Sequence, residues 1–101
     1  MDNDLTVLED AKDTAFLLDK AYRRAVRAGK NRLAARLWPA VNRAYDGVAL
    51  ARLNLLQAGV LTTDDDVAEM RRLKAEIDQA AKTEDMLRSV LKFVTFLAKL
   101  A

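Results

Sequence analysis

The chain has 101 residues, enough for one domain with its own core and too few for two. Apolar residues make up 51% of it, and 3 glycines and 1 proline leave few helix breaks, so the composition excludes a sheet-rich fold and favours helices. Net charge is only +2, and both cysteine and histidine are absent, which excludes disulfide scaffolds, thiolate or imidazole metal sites and the ordinary nucleophile–base pairs.

That small net charge hides an uneven layout. Residues 1–19 carry six acids and one base, residues 20–56 nine bases and one acid, and residues 57–101 seven bases and eight acids. The acidic start has the wrong sign for a secretory leader. No run approaches the ~20 apolar residues of a membrane span. We therefore expect a soluble, cytoplasmic protein.

A first helix is expected over about 4–28, capped by Asp2 or Asn3. Val7, Leu8, Ala11, Ala15, Leu18, Tyr22, Ala25 and Val26 repeat at three- and four-residue spacing and mark its inward face. Acids at its start and Arg23, Arg24 and Arg27 at its end suit the helix dipole. Gly29 is a natural C′ stop, and Lys30-Asn31 then makes a short turn, with Asn31 capping the next helix. So short a link makes the first two helices antiparallel neighbours.

The second helix is expected over about 32–58, ending at Gly59. Its inward face runs through Leu33, Leu37, Val41, Ala44, Val48, Ala51, Leu55 and Ala58. Pro39 removes one hydrogen bond while the apolar phase continues past it, which predicts a kink. Val60, Leu61 and Thr62 form a connector. Thr63 and Asp66 form a capping box, and Asp64 and Asp65 sit at the positive end of the dipole of a third helix over 64–82. Adjacent acids there point in different directions and lack the spacing of a calcium loop, so no metal site is expected. Val67, Met70, Leu73, Ile77, Ala80 and Ala81 form a narrow apolar stripe. Arg72–Glu76, Lys74–Asp78 and Asp78–Lys82 are spaced as solvated i,i+4 pairs.

No glycine or proline separates this helix from the next. A continuous helix to residue 100 would span roughly 55 Å, too long for a compact domain of this size. A break is expected near 82–84, with Thr83 as the cap. The last helix, 84–100, has a polar strip of only Arg88, Lys92, Thr95 and Lys99. Leu87, Val90, Leu91, Phe93, Val94, Phe96 and Leu97 cover an arc about twice the usual width, so it needs neighbours on two sides. The expected fold is all-α: an antiparallel four-helix bundle with the C-terminal helix most buried.

Function is less constrained. No phosphate loop, nucleotide fingerprint or Glu-x-x-His pair is present. Catalytic residues, cofactor and metal are all expected to be none. Phe16 falls on the polar side of the first helix, and Leu50 and Leu53 on that of the second. With exposed parts of the last helix, Phe93 and Phe96, they form the expected partner-binding set. This predicts a non-enzymatic helical interaction or adaptor module that self-associates, as a homodimer, through apolar helix faces. The alternative is a small nucleic-acid-binding regulator using Arg23, Arg27, Arg32, Arg36 and Arg43, although no aromatic is expected among these bases to stack on nucleobases, since Trp38 and the tyrosines read as packing groups. A membrane-active bundle is the third reading, resting on Phe93, Phe96 and the lysines of the last helix.

Overall fold

The computed structural model describes residues 3–57 and 62–100. It contains four helices, α1 (Asn3–Arg27), α2 (Asn31–Gln57), α3 (Asp64–Gln79) and α4 (Thr83–Lys99), and no strand among the described residues. The expected cap at Asp2, and Ala58, Gly59, Val60 and Leu61, lie outside the described residues. Asn3 is helical, and its side-chain amide donates to the Thr62 carbonyl (3.3 Å) and to Asp64 Oδ1 (3.2 Å).

Local chemistry explains most of the ends. Gly29 has φ +72°, which a side chain tolerates poorly. The Gly29 N–H donates to the Val26 carbonyl (3.1 Å) and the Lys30 N–H to the Ala25 carbonyl (2.9 Å), the Schellman pattern. Ala34 N–H donates to the Lys30 carbonyl, so Lys30 and not Asn31 is the cap of α2. The capping box at Thr63 and Asp66 forms in both directions (3.2 and 2.9 Å). α2 runs unbroken through Pro39. Pro39 and Ala35 are both exposed, so the Ala35 carbonyl that loses its intrahelical partner faces water.

The chain breaks between the last two helices, slightly earlier than the sequence suggests. Ala80 turns extended (ψ 116°), and Lys82, not Thr83, precedes α4, with no side-chain cap. Folding back there covers the apolar last segment. Glu76 of α3 then meets Lys92 (3.8 Å) and Ser89 (3.4 Å) of α4. The radius of gyration is 13.7 Å, close to the ~13 Å of a compact chain of this length, which excludes the elongated alternative.

Helix α1 packs on α2 and α3, and α4 packs on the same two, while the backbones of α1 and α4, and of α2 and α3, do not come close and meet only through the shared core. The order around the bundle is therefore α1–α2–α4–α3. Contacts between α1 and α3 keep a constant offset (Asn3–Asp64, Asp10–Arg71, Asp13–Lys74), so these two run the same way. Arg36–Glu84 and Gly47–Leu97 give the same result for α2 and α4. Asp19–Tyr45 and Tyr22–Trp38 instead keep a near-constant sum, as two helices running oppositely must. The molecule is two helical hairpins side by side, with parallel neighbours across the seam.

This layout corrects the expectation that the C-terminal helix is the hub. Buried residues number six of 25 in α1, seven of 27 in α2, four of 16 in α3 and four of 17 in α4. Each helix is a corner with two neighbours and an open side. On α4, Val90, Phe93, Phe96 and Leu97 turn inward while Leu91 stays 63% exposed. The pairs expected on the solvated side of α3 are replaced by others. Lys74 reaches Asp10 and Asp13 of α1, and Arg72 takes Glu69, because Lys74 is drawn into the α1–α3 seam and the helix ends before Lys82.

Phe93 is fully buried in the main core. Phe93→Ala should lower stability by about 3–5 kcal/mol. Leu91→Ala should change it by less than about 0.5 kcal/mol. Urea denaturation followed by circular dichroism measures both.

Candidate interaction surface

From Gly47 to Leu56 the second half of α2 reads GVALARLNLL, with Arg52 and Asn54 its only polar side chains. A helix flanked by two neighbours cannot hide apolar residues around its whole circumference. Ala51 and Leu55 turn into the core, and Leu50, Leu53 and Leu56 are left 57%, 49% and 61% exposed. Of the nine large apolar side chains exposed among the described residues, eight belong to α1 and α2. The surplus therefore gathers on one hairpin.

Two clefts flank this part of α2. Leu5, Leu8, Val48 and Leu56 line the one towards α1, with Glu9, Lys12 and Arg52 at its edge. Gly47, Leu50, Val94, Leu97 and Ala98 line the one towards α4, with Arg43 and Asp46 beside them. Gly47 permits the close approach of α4, since a Cβ there would lie 3.0 Å from Leu97 Cδ1.

The expected contact residues divide. Leu50 and Leu53 are exposed on α2, and Phe16 is exposed on α1. Phe93 and Phe96 are 0% and 5% exposed, so they are core residues and not contacts of the folded chain. α4 turns both rings inward because α2 and α3 cover that side. The same burial removes the apolar groups on which the membrane reading rested, and no described helix is long and apolar enough to cross a bilayer. Leu56 was missed, although Leu55-Leu56 signals it: adjacent residues on a helix cannot both face inward.

The five candidate arginines do not share one face. Arg23 and Arg27 line a shallow depression on α1 with Phe16 and Lys20. Arg36 turns to α4 and pairs with Glu84 (2.6 Å), and Arg43 lies beside Val94 and Leu97 in the α2–α4 cleft. Arg32 is exposed at the start of α2. The aromatics also differ from the sequence reading. The Lys20 ammonium sits 4.9 Å over the Phe16 ring, so an aromatic does stand among the bases. Trp38 rests on Tyr22 with ring centroids 5.0 Å apart, yet remains 50% exposed.

One polar cluster ties α1 to α2. The Tyr45 hydroxyl donates to Asp19 Oδ2 (2.8 Å), and Arg23 Nε donates to Asp19 Oδ1 (3.1 Å). These two bonds, Tyr45 first, hold the Asp19 carboxyl below its ordinary range. Partial burial and the bond to Asp19 push the Tyr45 hydroxyl above its own. The cluster is a clamp between the two helices. No group of three or more carboxylates is placed to hold a metal among the described residues. No family model, curated protein or solved structure matches this chain.

The clamp has a definite pH signature. Asp19 is depressed on folding, so its stabilisation is complete above about pH 4 and is lost as pH falls below that. Tyr45 is raised on folding, so its share is complete below about pH 10 and is lost as pH rises through the folded value. Tyr45→Phe should cost at most about 1 kcal/mol at pH 7. Denaturation of both proteins from pH 7 downwards should show that difference constant at first and closing below about pH 4.

Proposed function

We propose that the protein is a non-enzymatic helical interaction module that pairs with a second copy of itself through the leucine face of α2. The observation that carries this reading is the spacing and exposure of Leu50, Leu53 and Leu56, three large apolar groups set three residues apart on one helix. Single exposed leucines are ordinary, but a row of them beside two apolar clefts marks a contact surface.

The charges at the edge favour a like partner. Glu9, Lys12 and Arg52 line the α1 cleft, and none of them has an ion pair among the described residues. A patch that carries both signs unpaired can complement a copy of itself related by a two-fold axis.

Magnitudes set the strength. Covering a half-exposed leucine returns on the order of 1 kcal/mol, so six leucines from two copies contribute roughly 6 kcal/mol. Association itself costs about 4–15 kcal/mol. The leucines offset only the low end of that cost, so pairing in the millimolar range also needs the apolar lining of the two clefts to be covered, and the pair is weak and concentration-dependent. Leu91 lies off the leucine row, on α4, and leaves room for a further protein contact, which is the basis for an adaptor role.

Sedimentation velocity tests the proposal directly. The mass should rise from monomer towards dimer as concentration approaches roughly 1 mM, and the rise should persist in high salt. Leu50→Glu with Leu53→Glu should keep the mass at monomer while leaving helical circular dichroism unchanged. A wild-type chain that stays monomeric throughout, or a double variant that still dimerises, overturns it.

A further inference from the structure

A second surface lies at the other end of the same hairpin and is independent of the leucine face. From Lys20 to Tyr45 the chain carries eight bases and no acid. The acids that precede this stretch are mostly engaged elsewhere: Asp10 meets Arg71 and Lys74, and Asp13 meets Lys74, all on α3. Asp19 holds Arg23 and Glu84 holds Arg36. Lys20, Arg24, Arg27 and Lys30 have no ion pair among the described residues, and although Asp78 lines the cleft beside Arg24 and Lys30, the Gly29 end keeps a net positive charge.

Aromatic rings are set among these cations. Phe16, Trp38 and Tyr45 are 53%, 50% and 39% exposed. Each is fixed by a contact with α1: Phe16 beneath the Lys20 ammonium, Tyr45 through Asp19, and Trp38 against Tyr22. Asp19, Lys20, Tyr22 and Arg23 occupy little more than one turn of α1, so all three rings fall along one stretch of the hairpin. We propose that this stretch binds single-stranded nucleic acid. Bases stack on Trp38 and Phe16, and the phosphates run past Lys20, Arg24, Arg27 and Lys30.

Stacking selects single strands over duplex. Duplex bases are stacked on each other and offer no face to Trp38. Interleaving also argues against a lipid surface, since an interfacial helix keeps its apolar and basic residues on opposite faces.

Trp38 is the only tryptophan, so its fluorescence reports on the site. The probes are oligo(dT) and oligo(U) of roughly 16 nucleotides, the upper end of known single-strand site sizes, with a duplex of equal length and phosphatidylserine vesicles as comparisons. Either oligonucleotide should quench Trp38 saturably, with an affinity that falls as salt rises; the two arms show whether DNA or RNA is preferred. Arg24→Glu with Arg27→Glu should weaken binding at least about ten-fold and flatten the salt dependence. Trp38→Leu, followed by anisotropy of a labelled oligonucleotide, should weaken it about five-fold or more. Circular dichroism checks that both variants stay folded. Three outcomes overturn the proposal: no quenching at low salt, equal binding of duplex with no effect of Trp38→Leu, or a response of Trp38 to vesicles and not to oligonucleotides.

Discussion

Laying two hairpins side by side gives each of the four helices two neighbours and one open side, and this constraint decides what the surface is made of. A helix whose apolar arc matches two neighbours disappears into such a bundle; a wider arc leaves residues in water. α3 meets the condition with Val67, Met70, Leu73 and Ile77 inward and charge outside. The second half of α2 does not, and its excess becomes the leucine face.

The same layout distributes the charge. Parallel packing places the acidic half of α1 against Arg71 and Lys74 of α3, and partly exposed pairs of this kind add little stability. Their larger effect is on the field. Acids committed to α3 are not available to the bases near the Gly29 turn. One hairpin thus carries two unlike regions, apolar towards the end of α2 and cationic towards its start.

Four helices, their approximate limits, the Gly29 stop and the Thr63–Asp66 box were legible because periodicity and capping are local properties. Leu50, Leu53 and Phe16 were placed correctly as exposed for the same reason. Phe93 and Phe96 were not, because one helix says how wide its apolar arc is but not which part the neighbours cover. Lys74 illustrates the limit for charge: its spacing to Asp78 suits a local pair, and only the arrival of α1 gives it Asp10 and Asp13 instead. Trp38 reads as a packing group from its phase, and half of it packs.

Pro39 lies near the boundary between the two regions of α2, on the side that faces water. The ring leaves one carbonyl to the solvent, so the segments before and after it are joined by one fewer rung of the helical ladder. α2 is thus continuous through the proline and one hydrogen bond short, and water takes the place of the missing donor between its two unlike regions.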